Sequence, residues 1–391
     1  MKRVSLERDE FYLGKTRNNK NMKILYSCLS KSWGGMEMVT INSIKQLLDR
    51  HISVELICTA ESRIHIEANN IGMIIYPIKA PGYFHPIVTI KVLSIIKNGK
   101  YDLIHTHASK DLWLLVPALK LIKSKTPLFL TKHVGSFIKK TDKMHNWLYS
   151  RVNYAIAISK VIKDNLLETT SLDEKKIVLH YNGVDPERFV PNDVDLMKLR
   201  KELNIKEDEL LLGMVARFSE GKGHEIFLLV AKELSVKYSN LKFIIVGEAS
   251  KGEDVYEEKI KELADVYGLN NIIFAGFRND MPEVLSAMDI FIFPSHAEAF
   301  GVALVEAMAM AKPSVSTSSD GILDITVDNE TGYLFKKDDP ADLKNKLELL
   351  INSPEKRRTL GKAARQRVLE HFDSQKLMDG LVELYKKFIK R

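Results

Sequence analysis

The chain has 391 residues, 45% hydrophobic and 28% charged, the composition of a soluble globular protein long enough for two α/β domains and a short extension. Its 58 basic and 51 acidic residues leave a net charge of +7, spread along the chain, which favours anionic partners such as nucleotides or phospholipid surfaces. No aromatic-basic interleaving marks a nucleic-acid binder, the run Leu112–Leu119 is too short to span a bilayer and contains Pro117, and Cys28 and Cys58 lack metal-site spacing.

Residues 1–21 form a polar extension of mixed charge without the apolar core of a secretory signal, so a cytoplasmic protein is expected. A strand-helix alternation follows, as in parallel sheets wound with helices. Strands are predicted at Met22–Cys28, Ile52–Thr59, Gly72–Ile78, Asp102–Thr106, Pro127–Lys132, Ala155–Ser159 and Ile177–Tyr181. Helices fill the gaps, for example Met36–Arg50 and Ser109–Lys123. The stretch Asn182–Asp195, with Gly183, Pro186 and Pro191, reads as a linker. A second set of strands is predicted at Leu210–Ala216, Lys242–Val246, Ile272–Phe274, Ile290–Phe293 and Ser314–Ser316, and Ser353–Arg391 reads as two amphipathic helices. The expected division is an extension at 1–21, domains at 22–185 and 186–370, and a C-terminal helix at 371–391 crossing back to the first domain. Two doubly wound domains imply a cleft, with ligands outside the carboxyl ends of the strands.

The most informative segment is Glu298–Glu306. From Gly301 to Ala311 the sequence reads GVALVEAMAMA, a strong helix former in which Glu306 is the only charge. An ionised carboxylate on an apolar helix costs roughly several kcal/mol unless something pairs with it. No Lys or Arg stands three or four residues from Glu306. Its partner is then a hydroxyl-rich ligand such as ribose, or a distant cation, or solvent.

Arg217 and Lys222 follow the strand Leu210–Ala216, with Gly221 and Gly223 flanking the lysine. Two cations and two glycines at a strand-to-helix turn suit a diphosphate; surface charge on a loop has the same appearance. Gly34 and Gly35 open the helix after the first strand, which suits a phosphate-facing loop or a plain tight turn; the GxGxxG spacing is absent. The backbone N–H groups of Phe300, Gly301 and Val302 offer another helix start directly after Glu298. His105 and His107 end one strand on the same side, and His133 ends the next. No third ligand accompanies the His-x-His pair, so no metal is expected.

The Glu298-x7-Glu306 pattern resembles the signature of retaining glycosyltransferases with the GT-B fold, specifically glycosyltransferase family four. From about Met22 onward further landmarks occur in the family's order: Gly34-Gly35, Asp102-Leu-Ile-His105-Thr-His107, His133, Asn182-Gly-Val-Asp185, and Arg217 with Lys222. The resemblance implies an α/β fold of two Rossmann-like domains. It also implies a catalytic set of Arg217, Lys222, Glu298 and His133, with donor-binding residues Gly34, Gly35, Arg278, Phe300, Gly301, Val302 and Glu306. Glu298 and His133 would contact the transferred sugar, Glu306 the ribose, Arg217 and Lys222 the phosphates, and the turn at Gly276-Phe277-Arg278 the base. His107 lies at the acceptor or cleft edge, and Asn182-Gly183 marks the crossover.

The implied reaction is transfer of a hexose-type sugar from a nucleotide-sugar to a glycan or lipid-linked acceptor, with cell-envelope glycans as the leading expectation. No metal or other cofactor is needed where fixed cations hold the leaving diphosphate, and no Asp-x-Asp element stands in the expected place. Nucleic acid is not an expected partner. Segment Ser136–Arg151, with Phe137, Lys139, Lys140, Lys143 and Trp147, suits an anionic membrane surface or is an ordinary surface helix. Two other readings are an epimerase or phosphorylase on the same fold and a non-catalytic nucleotide-sugar-binding protein. A phosphorylase needs a pyridoxal-bearing lysine and a far longer chain, while a decayed site conflicts with the presence of every expected donor-side residue.

Overall fold

The computed structural model describes residues 22–80, 82, 85–191, 193–249 and 252–389, with the side chains of 193–197 left out. The polar extension 1–21 lies outside the described residues. Among these, thirteen strands form two all-parallel sheets. The first contains β1 (Lys23–Cys28), β2 (Ser53–Thr59), β3 (Ile75–Ile78), β4 (Leu103–Thr106), β5 (Leu128–Lys132), β6 (Tyr154–Ala157) and β7 (Ile177–Leu179), in the order β3-β2-β1-β4-β5-β6-β7. The second contains β8 (Leu210–Val215), β9 (Leu241–Val246), β10 (Ile272–Phe274), β11 (Ile290–Phe293), β12 (Ser314–Thr317) and β13 (Tyr333–Phe335), ordered β10-β9-β8-β11-β12-β13.

Buried strands covered on both faces need apolar runs rather than alternation, as Ile290-Phe-Ile-Phe293 and Phe243-Ile-Ile-Val246 supply. Each sheet winds outward from its first strand in both directions, so the strand order reverses between β1 and β4 in one and between β8 and β11 in the other. Loops leaving these strands diverge and open a crevice at the carboxyl edge.

The chain divides into two compact units. One comprises the described residues through Ile158, Ile162–His180 and the described residues from Met378; the other is Ser159–Val161 with Tyr181–Leu377. The last helix, Ser374–Ile389, therefore gives most of its length to the first unit. Its Met378, Leu381, Val382 and Tyr385 are buried in the same core as Ile24, Tyr26, Leu103 and Phe129. That burial is the tertiary reason for the amphipathic pattern of the tail.

Three local differences from the sequence reading have physical causes. Gly72 caps the helix Arg63–Ile71 in the left-handed conformation, so β3 starts only at Ile75. The segment 136–151 is helical only over Lys143–Tyr149, because Asp142 caps that helix by accepting from the amides of Met144 and His145. β13 was not anticipated; it is a three-residue edge strand whose polar surroundings hide it.

Candidate functional site

In the second unit, Arg217 to Lys222 leave β8 and the segment Ser295 to Glu306 leaves β11, the two strands flanking the reversal. Lys222 and Glu298, each half-buried, meet there: Lys222 Nζ donates to Glu298 Oε2 at 2.7 Å. Gly223 is required at this turn. It has φ +83°, and a Cβ would lie 2.2 Å from the Pro294 carbonyl oxygen, so the loop carrying Lys222 can rest directly on the end of β11. Arg217 is exposed one residue beyond Ala216.

Gly301, at φ +103°, turns the chain from Glu298 into the helix Val302–Ala309. The Phe300 ring is buried and stacks on Tyr181, so what this residue presents toward the helix start is its backbone. Glu306 follows on that helix among buried Leu304, Val305, Ala307 and Met308. Its half-buried carboxylate has no hydrogen-bond or ion-pair partner among the described residues. Burial raises its pKa to about 7, and the charge of Arg188 opposes the rise. The nearby cation is thus Arg188, which the sequence reading did not single out because it lies in the linker.

Arg278 is differently placed. Its guanidinium donates to Asp280 at 2.5 and 2.9 Å and to Glu202 at 2.9 Å. The fork is occupied by carboxylates, which leaves the backbone of the turn Gly276–Arg278 as the part able to meet a base.

In the first unit, Gly34 and Gly35 open the helix Gly35–Asp49 after β1. The buried Glu37 carboxylate accepts from the Gly34 amide at 3.0 Å. A Cβ at Gly35 would meet nothing within 4 Å, so no protein neighbour demands a glycine there. Beneath this loop lies a residue missed in the sequence, Asp111. It is fully buried, and its Oδ2 accepts from Ser27 Oγ, the Leu29 amide and Thr106 Oγ1 at 2.6, 3.1 and 3.2 Å. Burial raises its pKa to about 6. Asp111 ties β1 to β4 where they diverge.

The histidines cluster as strand alternation requires. His105 and His107 stack with ring centres 4.5 Å apart, and His107 Nδ1 lies 3.0 Å from His133 Nε2. His107 Nε2 is buried without a partner among the described residues. His105 is held by Thr131 Oγ1 at 2.7 Å and by Tyr385 OH. Burial lowers all three, His105 and His133 to about 3, so the rings are neutral. One shared proton then links His107 and His133. Among the described residues no group of three or more His, Cys, Asp or Glu is placed to hold a metal ion.

Residues 33–188 match the family model described as Glycosyltransferase Family 4, and residues 197–367 match Glycosyl transferases group 1. An uncharacterised glycosyltransferase of Methanocaldococcus jannaschii, MJ1178, is 30% identical over 379 residues, 93% of this chain and 98% of that protein. The chain belongs to the group 1 glycosyltransferases. The capsular polysaccharide biosynthesis glycosyltransferase CapM of Staphylococcus aureus is also 30% identical to this glycosyltransferase, over 240 residues, 60% of this chain and 62% of CapM. Of the solved structures, Anabaena Alr3699/HepE in complex with UDP-glucose superimposes with a TM-score of 0.83 at 24% identity, covering 94% of this glycosyltransferase and 100% of that chain. The fold is GT-B, two doubly wound parallel α/β units.

Proposed function

We propose that this glycosyltransferase moves a hexose-type sugar, with retention of configuration, from a nucleoside diphosphate sugar to a glycan or lipid-linked acceptor in cell-envelope polysaccharide synthesis. The observation that carries the donor reading is Glu306, a half-buried carboxylate with its pKa near 7 and no hydrogen-bonding partner among the described residues, one helical turn beyond the open amides at Gly301 and Val302. Two ribose hydroxyls would supply the hydrogen bonds the protein does not. CapM's name supports the polysaccharide assignment, and the ligand bound to Alr3699/HepE supports UDP-sugars as the first donors to try.

In this reading Arg217 and Lys222 hold the donor diphosphate, with Glu298 handing Lys222 to the phosphates and turning to the sugar. The bond from the anomeric carbon to the diphosphate oxygen breaks, the acceptor oxygen bonds to that carbon on the same face, and its proton passes to the departing diphosphate. Negative charge grows on the diphosphate in the transition state, so fixed cations there lower the barrier most. Double displacement needs two carboxylates about 5 Å apart around the anomeric carbon, whereas Glu298 and Glu306 are assigned to different parts of the donor. No metal is required in this scheme. The Gly35 amide takes a donor phosphate while the Gly34 amide stays on Glu37, neutral His133 contacts the sugar, and His107 orients His133 through their shared proton. The Gly276–Arg278 backbone borders the base.

The first unit takes the acceptor. Val134, Phe137 and Ile138 are exposed beside Lys139 and Lys143, an apolar tip ringed by cations that suits an anionic membrane surface at the inner face of the cell membrane. Calorimetry with UDP tests the donor assignment: wild type binds, and Glu306→Gln binds at least tenfold more weakly. Equal affinities would remove the ribose role.

A further inference from the structure

Lys132 ends β5 but has its side chain on the sheet face opposite Thr131 and His133, away from the histidine cluster. It is 7% exposed and donates from Nζ to Ser109 Oγ at 3.3 Å. The other group against its amine is a second lysine, half-buried Lys140. Neither lysine forms an ion pair with a carboxylate among the described residues. Lys140 is fixed rather than swinging free, since its amide donates to the Thr169 carbonyl at 2.6 Å and it bridges to Thr170.

Two ammonium groups held against one another in a buried place repel unless an anion lies between them. Burial and the Lys140 charge bring Lys132 down to about 8, so it still carries its proton at neutral pH. A phosphoryl oxygen would meet three donors here, two ammonium groups and the Ser109 hydroxyl. Lysine serves such a ligand as a point charge without demanding a planar fork. The loop that joins the two lysines carries exposed Val134, Phe137 and Ile138, so an anion seated here lies beside an apolar surface.

We propose that Lys132, Lys140 and Ser109 form a phosphoryl-binding site in the first unit, and that the acceptor is therefore phosphorylated, as a lipid phosphate or diphosphate or as a soluble phosphosugar. The acceptor part rests on the reading that the first unit receives the acceptor; the anion site itself does not.

Inorganic pyrophosphate is the probe, titrated calorimetrically into wild type, Lys132→Met, Lys140→Met and Lys222→Met. Wild type is expected to show two sites. Lys222→Met loses one; Lys132→Met or Lys140→Met weakens the other at least tenfold. Methionine keeps the shape of a buried lysine, so Lys132→Met should melt at or above the wild-type temperature, and half-buried Lys140 gives a second variant less exposed to folding failure. Isotherms of both lysine variants matching wild type would overturn the site. A Lys222→Met isotherm that matches wild type, with the Lys132- and Lys140-dependent site intact, would instead count against the donor reading, so the two failures are distinguishable. Flotation with phosphatidylcholine vesicles, with and without phosphatidylglycerol, then separates the sources. A lipid phosphate predicts weaker flotation of Lys132→Met on the anionic vesicles; a soluble phosphate predicts equal flotation alongside lost pyrophosphate binding.

Discussion

Lys222 Nζ and Glu298 Oε2 lie 2.7 Å apart although 76 residues separate them in sequence. The pair joins the two loops that leave β8 and β11, so the cation proposed for the diphosphate and the carboxylate proposed for the sugar neutralise each other in the structure. A donor must break this contact to use both. Glu298→Gln should therefore leave UDP affinity unchanged or tighter while lowering transfer on the order of 10²-fold. Calorimetry with UDP and a sugar-transfer assay read the two quantities separately. A matching loss in both would show that Glu298 holds the nucleotide rather than the sugar.

Arg217→Ala and Lys222→Ala should each reduce kcat on the order of 10²-fold or more, with a smaller effect on donor KM, because their contacts strengthen as the diphosphate leaves. Unchanged turnover in either variant would reduce that residue to surface charge. Activity should also survive EDTA; loss that Mg²⁺ restores would replace the cation scheme by a metal-assisted one.

Glu306 gives a pH signature. Its pKa is raised to about 7 from the ordinary 4.5, so between these values the folded chain binds the proton that the unfolded chain releases. Its contribution to stability is present below about pH 4.5 and is lost as pH rises to about 7. Glu306→Gln should remove that decline from the melting-temperature profile. Ribose hydroxyls favour the ionised carboxylate, so UDP binding near pH 7 should release a proton and tighten toward pH 8. Calorimetry in buffers of different ionisation enthalpy measures the release; none in wild type would end the assignment.

The sequence revealed the strand-helix order and the residues at the sheet reversals because both follow from local pattern: apolar runs, glycine turns and chemistry-bearing residues at strand ends. What it hid is long-range. Lys222 meeting Glu298, Arg278 engaged by Glu202 as well as Asp280, and Arg188 acting on Glu306 depend on which loops share an edge. Asp111 looked like an ordinary first-turn aspartate; only the divergence of β1 and β4 makes it a buried tie. Lys132 carried a legible signal, as the one charge in the run Pro127–Lys132. Its pairing with a second cation was not legible.

Tyr385 OH lies 3.0 Å from Tyr26 OH and also contacts His105 Nδ1, all buried, which pins the last helix to β1 and β4. Tyr385→Phe keeps the ring and removes both contacts, leaving two buried polar groups unsatisfied. The expected loss is about 1–3 kcal/mol. A urea midpoint unchanged from wild type would mean that apolar packing of Met378, Leu381 and Val382 alone holds the helix.

The membrane prediction concerns the loop after β5. If Phe137 and Ile138 enter the interface while Lys139 and Lys143 meet anionic headgroups, each lysine contributes about 1 kcal/mol near the surface, weakened by salt. Lys139→Glu with Lys143→Glu should abolish flotation with anionic vesicles at low salt, and Phe137→Ser with Ile138→Ser should weaken it even at high salt, where charge is screened. UDP affinity should stay at the wild-type value in both double variants, since none of the four substituted residues is among those proposed to hold the nucleotide. Lys140 is left intact in each, so an effect cannot be traced to the phosphoryl site. Equal flotation of wild type and both variants would defeat the membrane reading and favour a soluble acceptor.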